Sequence, residues 1–257
     1  MTGAGRPIGA QTILPAEREP FSALTADAVR LVGELALPPG GRAAQGALIL
    51  LHPLPTAGGS MDSHLFRKAA WRLPALADLA VVRFNTRGTG SRLGRSEGEF
   101  DGGAAEARDV AAVVAHTLGL DLPTPWLVGW SFGSELALMH AAHLPVAGVI
   151  AVSPPLKQTR SDHLIQWAAA RKPVTALVPE HDEFLKPAQA RARLALIPGA
   201  KVVEGRGASH LWIGEKAVRQ ALDAIVAVVR PGFGPLPRTW DGPSQTFNHE
   251  HERLASS

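Results

Sequence analysis

Short continuous apolar runs recur along the chain, and a segment with helical spacing follows most of them. The runs predict strands buried on both faces of a sheet, at residues 47–51, 80–84, 125–129, 146–152 and 174–178, with a brief strand at 201–203. The helical spacing predicts helices at residues 63–77, 104–118, 134–143, 162–171, 188–196 and 215–230. Strands that alternate with helices in this way favour an α/β fold with a doubly wound, mostly parallel sheet.

The two ends of the chain have a different pattern. Residues 24–37 alternate between apolar and polar positions, which predicts antiparallel edge strands at the N-terminal side of the sheet. Residues 1–20 are predicted to be a flexible arm, residues 21–230 the folded domain, and residues 231–257 a disordered tail. The segment at 154–172 has room for one helix, so only a minimal lid is expected.

Several polar residues stand where predicted strands end. In a doubly wound sheet, ligands bind outside the carboxyl ends of the strands. The residues predicted to lie at those ends are His52, Asn85, Ser131, Ser153 and Pro179. Their convergence on one edge makes that edge the candidate site.

A nucleophile motif lies at the end of one apolar run. Gly129–Gly133 reads G-x-S-x-G between a strand and a helix, which is the context in which a strained turn exposes a serine hydroxyl. Ser131 is therefore the candidate nucleophile. A second match has Ser96 at its centre, but no apolar strand leads into it and glycine-rich loop sequence follows, so Ser96 is interpreted as a polar loop residue.

A serine hydroxyl needs a general base, and histidine has a suitable pKa. His210 fits, because it follows the strand at 201–203 in a loop of small residues and precedes the last helix. The remaining histidines are interpreted as helix-surface, strand-end or tail residues: His52, His64, His116, His140, His143, His163, His181, His249 and His251. His64 remains a candidate near the oxyanion loop.

The orienting acid should follow a strand between the nucleophile and the base. The strand at 174–178 leads into a turn with three carboxylates. Asp182 is favoured because a short, rigid carboxylate best fixes the imidazole tautomer. Glu180 is the main alternative, and Glu183 is expected to be solvated.

Two backbone N–H groups are expected to bind the oxyanion of a tetrahedral intermediate. One belongs to Phe132, directly after the nucleophile. The other is expected from the loop after the first buried strand, where Pro53 and Pro55 lack an N–H and leave Leu54 as the donor between them. The alternative is a rigid proline turn without a catalytic part.

Composition excludes several other classes of function. Lys and Arg exceed Asp and Glu by only three charges and are scattered, which does not suggest nucleic-acid binding. The chain has no cysteine, so a thiolate nucleophile and a cysteine zinc site are excluded. No metal or cofactor motif is found. The absence of a long apolar run or a signal-like N-terminus predicts a cytoplasmic protein without a membrane partner.

Together these motifs make the chain resemble the α/β-hydrolase family over roughly residues 44–230. The likeness is strongest to a bacterial group of serine hydrolases with a His-Pro-x-Pro-x-x-Gly-Gly-x-Met loop, which here is residues 52–61. An Arg-Phe-Asn-x-Arg-Gly loop at 83–88, a Ser-x-Gly-x-Phe-Asp stretch at 96–101, the acid turn at 181–182 and His-Leu-Trp at 210–212 also match. Two features depart from the group: Leu54, where relatives often have histidine, and an apparent extension at 91–94.

The resemblance implies a serine hydrolase without cofactor or metal, acting on a small-molecule acyl substrate. Hydrolysis of a small carboxylic ester is the main hypothesis, and thioesters and amides remain possible. The alternatives are an acyltransferase with the same residues, or a binding protein with the same fold and no catalysis. The sequence leaves the oligomeric state open.

Overall fold

A computed structural model describes residues 5–243 of the chain. Its strands are β1 (Arg6–Pro7), β2 (Glu17–Leu24), β3 (Arg30–Leu37), β4 (Gly46–Leu51), β5 (Leu79–Phe84), β6 (Gly90–Ser91), β7 (Gly94–Arg95), β8 (Trp126–Trp130), β9 (Gly148–Val152), β10 (Val174–Pro179), β11 (Lys201–Gly205) and β12 (Thr239–Trp240). Its α-helices are α1 (His64–Ala77), α2 (Glu106–Leu118), α3 (Phe132–His140), α4 (Ser161–Ala170), α5 (Pro187–Leu194) and α6 (Glu215–Val229).

Eight of these strands form one sheet, in the spatial order β2-β3-β5-β4-β8-β9-β10-β11. The ladders from β5 to β11 are parallel, whereas β3 pairs antiparallel with both β2 and β5. The predicted fold class, a mostly parallel sheet with an antiparallel N-terminal edge, is confirmed. Because the parallel strands run in one direction, their carboxyl ends meet at one edge of the molecule.

Helices cover both faces of the sheet, which explains why its central strands are apolar throughout. On one face, α1 and α6 bury side chains such as Phe66 and Leu222. On the other face, α2 to α5 bury side chains such as Val110, Leu136 and Trp167. Every residue of β4, β5 and β10 is buried, as expected for strands between two helix layers.

The connection from β9 to β10 consists of a loop and the single helix α4, so the lid is minimal, as predicted. No helix in residues 5–243 is both long enough and apolar enough to cross a bilayer.

The N-terminal segment differs from the predicted arm at residues 1–20. Strand β2 begins at Glu17 and pairs with β3 along its full length. Most of its residues are exposed because β2 is the edge strand of the sheet, and an exposed strand gives a weak apolar signal in sequence. The guanidinium of Arg18 donates to the carbonyl of Ala70 at 3.0 Å, which ties this edge to α1.

The C-terminal segment differs from the predicted tail in a similar way. Strand β12 lies inside residues 231–257 and pairs antiparallel with β1. Leu236 is buried, and its N–H donates to the carboxylate of Asp223 on α6 at 2.8 Å. Residues 5–20 and 231–243 therefore pack on the domain and on each other. Residues 1–4 and 244–257, with His249 and His251, lie outside the described residues.

Two serine hydroxyls outside the candidate site bond to nearby backbone groups. Ser63 precedes α1, but its hydroxyl accepts the N–H of Ser60 at 3.1 Å and makes no cap bond to the helix. Ser96 lies in a loop, as predicted, where its hydroxyl is buried and donates to the carbonyl of Asn85 at 2.7 Å. The bounds of the other helices differ from the predicted ones by a few residues at their ends.

Candidate active site

The turn from β8 into α3 holds Ser131 in a strained backbone conformation, with φ 52° and ψ −116°. Its N–H donates to the carbonyl of Val152 on the neighbouring strand at 2.9 Å. A Cβ atom at Gly129 would lie 2.3 Å from the carbonyl oxygen of Gly133, and one at Gly133 would lie 1.9 Å from that of Leu51. Only glycine fits at both positions, because β8, α3 and β4 converge there.

The three candidate triad residues meet at this turn. The hydroxyl oxygen of Ser131 lies 2.9 Å from Nε2 of His210, and Nδ1 of the same ring lies 2.9 Å from Oδ2 of Asp182. Because the carboxylate can only accept, Nδ1 carries the ring proton and Nε2 is left to accept the proton of the hydroxyl. This arrangement can activate a serine for attack on an acyl carbon.

The acid turn after β10 separates the two candidate carboxylates. Asp182 contacts His210, and its second oxygen accepts the N–H of Phe184 at 2.9 Å. Burial opposes ionisation of Asp182, but the hydrogen bonds from His210 and from the Phe184 N–H outweigh it and lower the pKa of the carboxyl. Glu180 instead accepts the N–H of Gly207 at 2.8 Å, and Glu183 is exposed.

Three residues without a predicted role hold the backbone around His210. Its carbonyl oxygen accepts the hydroxyl of Ser153 at 2.9 Å and Nε1 of Trp130 at 3.2 Å. The Ser153 oxygen in turn accepts Nε1 of Trp212 at 2.9 Å. Ser153 has a positive φ of 46°, at the end of β9. The position of Ser153 at a strand end was the only sequence signal for this support.

The candidate oxyanion donors lie on adjacent segments. The close approach of Gly133 to Leu51 and to the carbonyl of His52 brings the loop after β4 against the start of α3. Among the hydrogen bonds of residues 5–243, neither the N–H of Leu54 nor that of Phe132 has a protein acceptor. Both donors are thus available to a ligand at the mouth of the site.

His52 holds the peptide group that carries one of these donors. Its Nδ1 lies 2.7 Å from the carbonyl oxygen of Pro53, and its Nε2 accepts the N–H of Thr86 at 3.0 Å. Because Nε2 accepts, Nδ1 must be the donor to Pro53. Burial lowers the pKa of His52 to about 4, so the ring is neutral at pH 7. The carbonyl of Pro53 and the N–H of Leu54 belong to one planar peptide group, and fixing the first orients the second.

Three other histidines of residues 5–243 contact groups other than the Ser131 hydroxyl. Nε2 of His64 lies 2.8 Å from the carbonyl oxygen of Leu211, beside the candidate base, so His64 supports that loop. His140 bonds to the carbonyl of Gly103, and His116 stacks on Phe21.

Exposed apolar side chains lie near His210 in space or in sequence. Phe184 is 45% exposed, and its ring packs edge-on against His210 with 4.5 Å between centroids. Leu211 and Ile213, on the loop that follows His210, are 46% and 70% exposed. Exposed apolar side chains beside the candidate base suit a ligand with apolar parts.

Comparison with known proteins shows the family to which the chain belongs. Residues 48–240 match the model of the alpha/beta hydrolase family. The chain belongs to this family. No curated protein sequence matches the chain.

Several solved structures of hydrolases are similar to this alpha/beta hydrolase. A serine hydrolase without lid from Xanthomonas campestris is 26% identical with a TM-score of 0.68, over 85% of this chain and 97% of that one. A serine hydrolase homologue from Coxiella burnetii is 26% identical with a TM-score of 0.67, over 82% and 97% of the two chains. The Pyrococcus furiosus esterase Pf2001, 17% identical with a TM-score of 0.65 over 83% and 90%, shares the fold.

Proposed function

We propose that this alpha/beta hydrolase cleaves small carboxylic esters through an acyl-enzyme on Ser131. The observation that carries the proposal is the continuous relay from the Ser131 hydroxyl through the His210 ring to Asp182, with 2.9 Å at each step. Similarity to serine hydrolases supports the reaction class. The proposal includes membership of the bacterial group of serine hydrolases that has the loop at residues 52–61. The cytoplasmic location of the protein stays a prediction.

Each residue has a defined part in the reaction. Nε2 of His210 takes the hydroxyl proton as the oxygen of Ser131 attacks the ester carbon, and Asp182 stabilises the imidazolium that forms. The N–H groups of Leu54 and Phe132 donate to the oxyanion. His210 then gives its proton to the leaving alkoxide, and water activated by the same ring releases the acid and restores the hydroxyl.

Labelling with a fluorophosphonate probe tests the role of Ser131. The expected result is a covalent adduct at Ser131, with loss of both the adduct and p-nitrophenyl butyrate hydrolysis in Ser131→Ala. Ser96→Ala is a matched control, because Ser96 is the centre of the second G-x-S-x-G match and its folded protein should still be labelled. An unlabelled wild-type protein, or an active Ser131→Ala, would contradict the proposal. Hydroxylamine or alcohol acceptors added to the assay distinguish acyl transfer from hydrolysis.

A further inference from the structure

A lysine stands beside the catalytic histidine of the proposed mechanism without an acidic partner. Nζ of Lys157 lies 4.3 Å from the centroid of the Phe184 ring, and that ring packs against His210 with 4.5 Å between centroids. The ammonium group is therefore within about 9 Å of the imidazole, close enough for a charge interaction with a bound ligand. Within residues 5–243, Lys157 forms no ion pair with a carboxylate.

The backbone of this lysine is held from both sides. The buried carboxylate of Glu135 on α3 accepts the N–H of Lys157 and, at 2.6 Å, the N–H of Gln158. On the other side, the guanidinium of Arg193 donates to the carbonyls of Leu156 at 3.2 Å and Thr159 at 2.9 Å. A charged side chain on an anchored loop loses less conformational freedom when it binds an anion than one on a mobile loop.

We infer that Lys157 is a specificity residue, and that the site favours esters that bear an anionic group, such as a carboxylate, a few bonds from the scissile ester. In that arrangement the apolar part of the substrate lies against Phe184 and the anion meets the ammonium group at the rim. The inference rests on the proposed function and adds to it the charge of the preferred substrate. An exposed cation with no competing carboxylate attracts an anion without first breaking an ion pair.

Matched pairs of esters test this inference. On the acyl side the pair is p-nitrophenyl hexanoate and mono-p-nitrophenyl adipate, and on the alcohol side it is phenyl acetate and p-carboxyphenyl acetate. For each pair, the ratio to follow is kcat/KM of the anionic ester divided by kcat/KM of the neutral ester. In Lys157→Met we expect this ratio to fall about 2- to 5-fold for at least one pair, as for the loss of a partly exposed ion pair. Lys157→Arg should retain the wild-type ratio, and Lys157→Glu should lower it further. The pair that responds identifies the side of the ester that faces Lys157.

Controls separate charge recognition from structural effects. Lys201→Met removes an exposed lysine at the start of β11, the end opposite the site, and should leave both ratios unchanged. High ionic strength should reduce the wild-type ratio, because the Debye length falls from about 10 Å at 0.1 M to about 3 Å at 1 M. Equal losses for both members of both pairs, or no change in either pair, would overturn the inference while the proposed function stands. If the wild type hydrolyses none of the four esters and Ser131 is not labelled by the neutral probe, the proposed function fails and this inference fails with it.

Discussion

Nε2 of His52 accepts the N–H of Thr86 at 3.0 Å, so the end of β4 is bonded to the loop that follows β5. The same ring donates from Nδ1 to the carbonyl of Pro53 at 2.7 Å. A single buried imidazole thereby sets the orientation of the peptide group that carries the Leu54 N–H. This pair of bonds links the architecture of the sheet to the proposed oxyanion site.

Replacing His52 with Gln should lower kcat more than it raises KM. The peptide that carries the Leu54 N–H loses its fixed orientation, and a donor to the oxyanion acts mainly in the transition state. Loss of one such donor costs about 10²- to 10³-fold in kcat, so a misdirected one should cost up to about 10²-fold. Steady-state kinetics with p-nitrophenyl butyrate measure the changes in kcat and KM separately.

The control for this prediction is His64→Gln, which changes a histidine that bonds to Leu211 instead and should have a smaller effect on kcat. An unchanged kcat in folded His52→Gln would show that the ring does not position the donor.

Stability should depend on pH through His52. Burial lowers its pKa to about 4 in the folded protein, below the ordinary value of 6.5. The unfolded chain therefore binds a proton at this ring that the folded protein does not, and the free energy of unfolding decreases as the pH falls from about 6.5 towards 4. Above 6.5 the contribution is constant. Urea unfolding of the wild type and of His52→Gln across this range should give a steeper pH dependence for the wild type. The same pH dependence of the free energy of unfolding in both proteins would contradict this prediction.

Asp182→Asn should reduce kcat by up to about 10⁴-fold with little change in fold, because an amide cannot hold the ring in the required tautomer. Glu180→Gln is the matched control. Glu180 bonds to the Gly207 N–H and not to the imidazole, so activity should change little. If Glu180→Gln inactivated the protein and Asp182→Asn did not, the assignment of the acid would be reversed.

Ser153→Ala should destabilise the protein by about 1–3 kcal/mol, because it leaves the buried indole N–H of Trp212 without an acceptor and the carbonyl of His210 with Nε1 of Trp130 as its remaining donor. Urea unfolding measures the change. Trp212→Phe removes the indole donor, so the double variant should lose less stability than the sum of the two single variants. Additive losses would mean that the hydroxyl and the indole do not act as one unit.

Gly133→Ala should abolish activity or folding, because the new methyl group would lie 1.9 Å from the carbonyl oxygen of Leu51. Gly9→Ala is a suitable control, since nothing lies within 4 Å of a Cβ atom there. Esterase assays and circular dichroism distinguish lost chemistry from lost fold. A fully active Gly133→Ala would show that the turn between β8 and α3 can accommodate a methyl group at residue 133.

Sequence patterns predicted an element correctly where the physical requirement for that element lies within a single strand or a single turn. A strand covered by helices on both faces must be apolar along its length, so the central strands could be predicted from residues in sequence order. The turn around Ser131 requires small residues at fixed spacing, and Gly129 and Gly133 meet that requirement within five residues of chain. Edge strands were predicted at residues 24–37, but β1, β12 and residues 17–23 of β2 were missed, because exposed strands leave little apolar signal.

By itself the sequence determined the layered α/β fold, the turn with its two glycines, the candidate nucleophile and base, and the turn of three carboxylates that holds the candidate acid. Tertiary structure decided which carboxylate contacts the imidazole, since Asp182 and His210 are 28 residues apart and Ser131 and His210 are 79 apart. It also decided that His52 bonds to Thr86, that Ser153 holds the backbone of His210, and that β1 pairs with β12. Such contacts depend on how distant segments pack, because local propensity constrains the backbone of each segment and not the partner its side chains meet.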